Sequence, residues 1–503
     1  MNNFDKKRLE EIIIPNLQAR YDKKSFWFDG EWNNGKDFLE IIDNCEKVLK
    51  AADFSKGQRL VVMLKNSPLI PALSLAVWKL GGIFCPLNEK AGSSALKDTL
   101  NLLKPFAVIT GKDIPEIENE NLWPCVHCGV SDRTIQNFTG KTQPPESEDY
   151  AVIFSTSGTT GNPKAVPLTH NNLISNIKAT KETVYPLNEH DTFLTVLPNF
   201  HSFGYTCATM LPLAIGAKIA IVPSFLPPQQ TVRAIIEAPT TIMYIVPAML
   251  SFLLMSVEKG KLKPEFLASQ CVICTGGDRL SPNIHNQALK LLGRDVMEGY
   301  GLTETSPVLC MNHDCETQHA GTSGPIIPGY EYKLKTRDGE ELPKTEREGV
   351  LWAKGPSITP GYLHAPEITA ERFDAEGFFN TGDYVRFDDE GYVTILDRVT
   401  DIIIVGGFNV YPQEVEKVLC EHPAVRAAVV VGVHHDINGE IPKAYVQLED
   451  GAEVTDREII KFAKTRLAHF KVPRSVEFVT EFPVSATGKI LRRVLRERAK
   501  NNN

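Results

Sequence analysis

One stretch of the chain, YAVIFSTSGTTGNPKAVPLTH at residues 150–170, limits what the protein can fold into more than any other. Residues 151–156 are mostly apolar or β-branched, which predicts a buried strand. The strand leads into a segment of glycines, hydroxyls and one lysine: Ser157, Gly158, Thr159, Thr160, Gly161 and Lys164. Backbone N–H groups freed at the glycines can point at anionic oxygens, the hydroxyls add donors, and the lysine adds a positive charge. We therefore expect this loop to hold a polyphosphate.

The loop differs from a Walker A loop. That motif needs G-x-x-x-x-G-K-[ST] at the start of a helix, whereas here Pro163 precedes Lys164 and no helix signal follows directly. An exposed Ser/Thr/Gly turn is the simplest alternative for a short match. The motifs that follow in the chain favour the phosphate loop.

Several later segments place glycines and polar residues after predicted strands. LPNFHSFG at 197–204 puts His201 between aromatic residues, where a histidine is ordinarily a packed residue with one hydrogen bond. CVICTGGD at 271–278 is a predicted strand ending in glycines, where a flat base could approach the backbone. EGYGLTET at 298–305 and FFNTGD at 378–383 follow. Ligands of open α/β sheets favour the crevice outside the carboxyl ends of the strands, so we expect these motifs to face a ligand.

Taken in order, these motifs resemble those of the adenylate-forming superfamily, which includes acyl-CoA synthetases, luciferases and nonribosomal-peptide adenylation domains. GGFNVYPQEVE at 406–416 and FPVSATGKILR at 482–492 complete the set. The resemblance covers nearly the whole chain from Arg59 onward. LPNFHSFG and GGFNVYPQEVE look most like the fatty-acid-activating branch, which includes long-chain acyl-CoA and acyl-carrier-protein synthetases.

For the nucleotide, the resemblance implies that Tyr300 stacks on adenine and that Thr303 contacts the α-phosphate. It implies that Asp383 and Arg398 contact the ribose, and that Glu304 with Thr160 holds Mg²⁺ near the pyrophosphate. The other nucleotide-binding residues that it implies are Ser157, Gly158, Thr159, Gly161, Lys164, Gly276, Gly277, Asp278 and Gly301.

For the acid and the thiol, the resemblance implies that His201 belongs to a motif that gates the acyl site. Lys489 would swing into the site for adenylation, where a cation neutralises the carboxylate and the α-phosphate as they meet. The loop of Gly406, Gly407 and Phe408 would let a thiol arm pass close to the backbone. Thr400 would be the hinge, where the family usually has Asp or Lys.

The fold class that we expect is α/β with two domains. A chain of 503 residues is too long for one compact core, and strand–helix–strand alternation over residues 59–86 predicts a parallel sheet. We predict a large N-terminal domain, residues 1–398, of mixed, largely parallel sheets with helices on the faces. Residues 399–503 would form a small mobile α+β domain. Thr169 is a candidate helix cap, and a capping box at 455–458 predicts a helix running to Ala468.

Charge and hydropathy exclude other classes of protein. The net charge of −8 argues against nucleic acid as the main partner. The first residues lack the apolar region of a signal peptide, and no apolar run approaches the roughly 20 residues needed to span a bilayer. We expect a cytoplasmic protein whose basic segment at 492–500 makes at most a peripheral membrane contact.

The predicted activity is that of an acyl-CoA synthetase, an AMP-forming acid–thiol ligase that uses ATP and Mg²⁺. Its partners would be a medium- or long-chain fatty acid and coenzyme A. The same chemistry with acyl carrier protein as acceptor is the first alternative, which composition leaves open. A non-catalytic nucleotide- or lipid-binding member of the fold is the second. A P-loop kinase or ATPase is disfavoured because the Walker pattern is absent.

Overall fold

The computed structural model describes residues 3–90, 93–118, 123–157, 163–314, 316–435, 439–484 and 490–501. The chain forms two compact units. The larger comprises Met1–Arg279, Gln287–Glu331 and Lys354–Phe379, and the smaller comprises Leu280–Asn286, Tyr332–Ala353 and Asn380–Asn503. The smaller unit therefore includes segments that the predicted division after residue 398 gives to the N-terminal domain. That division stays a prediction, because compactness does not report which segments move together.

The helices and strands are numbered in chain order. The helices are α1 (Glu10–Ala19), α2 (Gly35–Ala51), α3 (Leu69–Lys79), α4 (Ser93–Leu103), α5 (Pro115–Glu118), α6 (His170–Thr183), α7 (Leu211–Ile215), α8 (Gln229–Glu237), α9 (Pro247–Glu258), α10 (Pro264–Ala268), α11 (Pro282–Leu292), α12 (Pro366–Arg372), α13 (Pro412–Leu419), α14 (Asp456–Lys464) and α15 (Arg492–Asn501). A π-helical segment spans Phe203–Met210, and 3-10 turns span Asn3–Asp5, Thr303–Thr305 and His469–Lys471.

The strands are β1 (Lys24–Phe28), β2 (Glu31–Asn34), β3 (Arg59–Met63), β4 (Ile83–Pro86), β5 (Ala107–Thr110), β6 (Cys125–His127), β7 (Tyr150–Ser157), β8 (Pro163–Thr169), β9 (Thr192–Thr195), β10 (Lys218–Ile221), β11 (Ile242–Ile245), β12 (Val272–Thr275), β13 (Met297–Gly301), β14 (Val308–Met311), β15 (Glu331–Lys335), β16 (Glu348–Lys354), β17 (Phe379–Phe387), β18 (Val393–Arg398), β19 (Ile403–Val405), β20 (Phe408–Val410), β21 (Val425–His435), β22 (Gly439–Leu448) and β23 (Ser475–Phe478).

The larger unit contains a six-stranded sheet in the order β6-β5-β3-β4-β7-β8. Neighbouring strands are parallel except β7 and β8, which pair antiparallel in a hairpin. Strands β3, β4 and β5 are buried along their whole length, as expected for a parallel sheet covered on both faces. The predicted phosphate loop therefore joins two adjacent antiparallel strands, and its end residues Ser157 and Pro163 are directly paired.

The second sheet of the larger unit has eight strands in the order β14-β13-β12-β11-β9-β10-β1-β2. From β13 through β1 the strands are parallel, and an antiparallel strand flanks each side. Because parallel strands point the same way, the segments that follow β9, β12 and β13 leave the sheet at one edge. These are the segments that carry LPNFHSFG, GGD and the LTET turn.

The smaller unit contains two further sheets. The first has the order β15-β16-β17-β18, and the second has the order β20-β19-β22-β21 with β23 beside β22. Helices α13 and α14 complete the hydrophobic core of the second sheet through Val415, Leu419, Ile459 and Ala463, all buried. The fold is thus mixed α/β with largely parallel sheets and a smaller C-terminal α+β unit, as predicted.

The predicted helix starts are confirmed, and one predicted end is wrong. Thr169 caps α6 and Thr455 caps α14, each in a reciprocal capping box. However, α14 ends at Lys464 rather than at Ala468. The N–H groups of Arg466 and Leu467 both bond to the carbonyl of Ala463, which tightens the last turn and ends the helix ahead of Pro473. None of the helices in the described ranges combines the length and apolarity that crossing a membrane requires.

Candidate active site

The edge of the eight-stranded sheet brings three sequence motifs into contact. The Ser202 hydroxyl donates to the Thr303 hydroxyl at 3.3 Å, which joins the segment after β9 to the turn after β13. A Cβ atom built on Gly276 would lie 3.3 Å from the ring of Phe203 and 3.2 Å from the carbonyl oxygen of Gly299. Gly276 is therefore the residue that lets the aromatic ring approach the end of β12. The N–H of Phe203 in turn donates to Nδ1 of His201 at 3.3 Å.

The segment around Tyr300 and Gly301 is also shaped by close backbone approach. A Cβ atom on Gly301 would lie 1.9 Å from the carbonyl oxygen of Pro307, so no other residue fits there without moving the backbone. The register between β13 and β14 shifts between Tyr300 and Gly301, and Tyr300 itself is partly buried. Gly277 has a positive φ of 79° and Asp278 is exposed, so both follow β12 in a turn at the sheet edge.

Tyr362, which the sequence motifs did not assign to the site, contacts both Lys164 and Glu304. The Tyr362 hydroxyl donates to Oε1 of Glu304 at 2.7 Å. The Lys164 ammonium lies 5.4 Å from the centre of the Tyr362 ring, within cation–π range. Burial, and next the Glu304 carboxylate, raise the pKa of Tyr362, so its hydroxyl stays protonated and remains a donor.

The segment carrying Tyr362 is tied to both neighbours by hydrogen bonds to backbone carbonyls. The Thr359 N–H donates to the carbonyl of Glu304 at 2.8 Å, and the Thr359 hydroxyl donates to the carbonyl of Pro167 at 2.6 Å. The Leu363 N–H donates to the carbonyl of Ala165 at 2.9 Å. Residues 359–363 therefore bridge β8, which leaves the phosphate loop, and the turn that carries Glu304.

Asp383 and Arg398 lie together in the smaller unit. They are direct partners across the antiparallel pair β17 and β18, and Arg398 Nε lies 2.7 Å from Oδ1 of Asp383. Only 3% of the Asp383 side chain is exposed, compared with 39% of Arg398. A buried carboxylate held by a half-exposed guanidinium keeps both charged groups on one face of the sheet.

Gly406 and Gly407 form the two-residue turn of the β19–β20 hairpin. Val405 pairs directly with Phe408, and both glycines have positive φ angles, 56° and 87°. Two positive φ angles are typical of hairpin turns that favour glycine, asparagine or aspartate at these positions. Phe408 is 59% exposed, and its ring stacks on Phe470 with centroids 4.8 Å apart. The turn therefore gives a local reason for glycine at both positions, and their predicted contact with a thiol stays a prediction.

Thr400 is exposed in a tight turn after β18. The N–H groups of Asp401 and Ile402 donate to the carbonyl of Arg398, which closes the turn around Thr400. Arg496 of α15 lies 2.6 Å from the Asp401 carboxylate. The predicted residues that fall outside the described ranges are Gly158, Thr159, Thr160, Gly161 and Lys489, and the side chain of Ser157 is likewise outside the description.

The fold and these contacts define an α/β protein of the class that binds ligands at the carboxyl edge of a parallel sheet. The chain belongs to the AMP-binding enzyme family, as an acyl-CoA synthetase of the adenylate-forming superfamily. The family model "AMP-binding enzyme" matches residues 16–363, and "AMP-binding enzyme C-terminal domain" matches residues 414–489.

Relatives of this chain are CoA ligases named for different acids. The chain is 32% identical to a long-chain-fatty-acid–CoA ligase of Bacillus subtilis, over 99% of this chain and 95% of the relative. It is 36% identical to the ligase of that name from Salmonella typhimurium, over 70% of this chain and 62% of the relative. It is 30% identical to a 2-succinylbenzoate–CoA ligase of a Geobacillus species, over 94% of both chains.

Among solved structures, ATP-bound MatB from Rhodopseudomonas palustris superposes with a TM-score of 0.87. The two sequences are 27% identical over 98% of this chain and 99% of MatB. The anthranilate CoA ligase AuaEII in complex with anthranoyl-AMP has a TM-score of 0.88 at 24% identity, which shows a shared fold. It covers all of this chain and 99% of that one.

Proposed function

We propose that the protein is an ATP-dependent acid–thiol ligase that activates a medium- or long-chain fatty acid and transfers it to coenzyme A. In the first half-reaction a carboxylate oxygen attacks the α-phosphorus of ATP, and the bond to pyrophosphate breaks. In the second, the thiol loses its proton, its sulfur attacks the acyl carbon, and AMP leaves. No side-chain nucleophile is required, because positioning and charge neutralisation supply the catalysis.

The observation that carries this proposal is the contact chain from Lys164 through Tyr362 to Glu304. It joins the cation that follows the phosphate loop to the carboxylate of the LTET turn. A polyphosphate with a divalent cation needs both kinds of group, a positive charge for the phosphate oxygens and a hard oxygen ligand for the metal. Lys164 and Glu304 both belong to the larger unit, which supports the proposal.

The residues at Glu304 fit a magnesium ion. Its partly buried carboxylate uses one oxygen for the Tyr362 hydroxyl, and a carboxylate has a second oxygen to offer a hard cation. Glu304 would hold the ion together with Thr160. Mg²⁺ neutralises phosphate charge when bound, which supports departure of pyrophosphate. Tyr362 then has the task of orienting the carboxylate.

Each remaining residue has a proposed task that agrees with its surroundings. Tyr300 stacks on adenine, beside the backbone of Gly276, Gly277, Asp278 and Gly301. Thr303 donates to the α-phosphate from a turn that Ser202 holds. Asp383 and Arg398, already paired, contact the ribose. The other phosphate contacts in this proposal are Ser157, Gly158, Thr159 and Gly161.

The acid and the thiol are assigned to the two remaining groups of motifs. Phe203 lies against Gly276 and its N–H donates to His201, and the two residues would separate the acyl group from the nucleotide. Lys489 supplies positive charge during adenylation. Rotation about Thr400 would then bring Gly406, Gly407 and Phe408 toward the thiol. The fatty-acid substrate is supported by the Bacillus and Salmonella relatives, whereas the Geobacillus relative acts on an aromatic acid.

The test is a product assay with purified protein, MgATP and acids of graded chain length, with 2-succinylbenzoate as the aromatic comparison. We expect AMP and pyrophosphate with the longer alkyl acids, and an acyl thioester after addition of coenzyme A. If a thioester forms with acyl carrier protein and not with coenzyme A, acyl carrier protein is the acceptor. Release of ADP, or tight ATP binding without AMP from any acid, would overturn the proposal.

A further inference from the structure

Helix α6 begins where the strand leaving the phosphate loop ends. Its N-cap Thr169 receives a hydrogen bond from the N–H of Asn172 at 3.1 Å, and the Thr169 N–H donates to Oδ1 of Asn172 at 2.8 Å. This capping box holds Oδ1 of Asn172 and leaves its Nδ2 to donate to another segment. Asn176 lies four residues later, so the two side chains project from the same face of the helix.

Asn176 holds the turn that carries Glu304. Its side chain is completely buried, and its Nδ2 donates to the carbonyls of Thr305 at 3.0 Å and Val308 at 2.8 Å. Its Oδ1 accepts the N–H of Val308 at 3.2 Å. One carboxamide therefore clamps both sides of the residues directly after Glu304. Between them, Ser306 adopts a positive φ of 72°, a conformation that a non-glycine residue keeps only when its surroundings impose it.

Asn172 holds the segment that leads to Tyr362. Its Nδ2 donates to the carbonyls of Pro356 at 2.8 Å and Ile358 at 2.9 Å, and 6% of the residue is exposed. The next residue, Thr359, bonds to Glu304 and to Pro167 as described above. The two segments are also joined directly, because the Ser306 hydroxyl donates to the carbonyl of Ser357 at 2.7 Å.

We propose that Asn172 and Asn176 are positioning residues that fix Tyr362 and Glu304 relative to Lys164. The inference rests on the proposed function, since it concerns how the same site is assembled. Each carboxamide uses both N–H groups on backbone carbonyls, so an apolar replacement removes two donors. At Thr305 and Val308 the Tyr330 hydroxyl remains, with one proton for the two carbonyls. Helix α6, which begins where β8 ends, thereby sets the distance between the Lys164 ammonium and the Glu304 carboxylate.

The main test is Asn176→Ala, assayed as acid-dependent ATP–pyrophosphate exchange. We expect kcat to fall about 30- to 100-fold, the size of effect produced by misplacing a catalytic group by about 1 Å. The KM for ATP should change little, because the nucleotide contacts are not removed. Asn176→Ser, which restores one donor, should recover part of the rate. It replaces the alanine variant in the assay if that variant folds poorly.

The matched control is Asn16→Ala. Asn16 also donates from one carboxamide to two backbone carbonyls, those of Leu213 and Ala214, but it joins α1 to α7. This variant should lower the midpoint of urea unfolding as Asn176→Ala does, while leaving kcat unchanged. An equal loss of kcat in both variants would show a general stability effect and would overturn the proposal.

A double-mutant cycle then separates positioning from other causes. In a Glu304→Gln background, Asn176→Ala should lower kcat further by less than about threefold, because the carboxylate that Asn176 positions is already lost. In a Tyr362→Phe background the same should hold for Asn172→Ala. Full additivity in both cycles would overturn the proposal. Failure of the wild-type protein to form AMP from any acid would instead sink the proposed function.

Discussion

The hydroxyl of Tyr362 lies 2.7 Å from Oε1 of Glu304 and donates to it. The two residues are 58 positions apart in sequence and meet because the segment around Thr359 is bonded both to Glu304 and to β8. The Tyr362 ring also faces the Lys164 ammonium. One side chain thus contacts the two oppositely charged groups that a magnesium–polyphosphate site requires.

Tyr362→Phe should keep the ring near Lys164 and remove the hydroxyl that donates to Glu304 and that also interacts with Arg372. Hydrogen bonds to charged groups are worth about 1.5–3 kcal/mol, so we expect acyl-AMP formation to slow by about 10- to 100-fold. The measurement is the steady-state rate of AMP release at saturating ATP. The optimal Mg²⁺ concentration should rise, because the carboxylate is less well oriented.

Tyr332→Phe is the matched control for this change. Tyr332 is 47% exposed and stacks on Phe387 with ring centroids 4.6 Å apart, so its ring rather than its hydroxyl makes the described contact. Its activity should equal that of the wild type. A Tyr362→Phe enzyme with unchanged rate and unchanged Mg²⁺ dependence would show that the hydroxyl does not orient Glu304.

Asp383→Ala should raise the KM for ATP about tenfold or more, because a carboxylate that accepts both ribose hydroxyls contributes charge-assisted hydrogen bonds. The KM for the acid should stay the same, since the acid makes no contact with the ribose. Glu348→Ala is a suitable control, because Glu348 pairs with Arg386 and has a 38% exposed side chain. Equal KM values for ATP in Asp383→Ala and wild type would remove Asp383 from the nucleotide site.

Local sequence patterns predicted elements whose causes are local. The run at 151–156 is β7, and Thr169 and Thr455 start helices because a hydroxyl three residues before a free N–H is sufficient to cap it. The motif segments after β9, β12 and β13 were expected at strand ends, and parallel pairing puts them at one edge. The strand and the caps depend on residues within a few positions of one another, whereas the shared edge comes from pairing of strands distant in sequence.

Tyr362, Asn172 and Asn176 could not be given roles from the sequence, since their contacts join segments more than 50 residues apart. No periodicity or spacing reports such contacts. Gly406 and Gly407 are the reverse case. The sequence predicted that they bind a thiol, whereas the structure gives a local reason for them. The type of turn between β19 and β20 favours glycine whether or not a thiol passes nearby.

Arg492→Met should destabilise the smaller unit by about 3–5 kcal/mol, because it leaves the Glu416 carboxylate without its counter-charge. The Arg492 guanidinium pairs with both oxygens of Glu416, at 2.7 Å for Nη2 and Oε2, and also donates to the carbonyl of Val430. With 21% and 13% of the two side chains exposed, the loss should lie toward the lower end of this range. Denaturant unfolding of the full chain measures it. The double variant Arg492→Met/Glu416→Leu should recover much of the loss, and a double variant as unstable as the summed single changes would contradict this account.

Acid should weaken the larger unit through His170. This residue is 2% exposed, its Nδ1 accepts the N–H of Leu9, and burial, followed by the Arg8 charge, lowers the pKa of His170 far below its ordinary 6.5.

The folded state therefore keeps His170 neutral while the unfolded chain takes up a proton near pH 6.5. The stability that this difference provides is fully present above pH 6.5 and is lost at up to about 1.4 kcal/mol for each pH unit below it. Burial raises the pKa of neighbouring Glu10, whose contribution has the opposite sign. His170→Asn retains an acceptor for Leu9 and leaves Glu10 in place, so urea unfolding of both proteins at pH values of about 7.5, 6.0 and 5.0 isolates the histidine. The wild type should lose more stability than the variant as the pH falls, and parallel losses would mean that His170 is not the group that titrates.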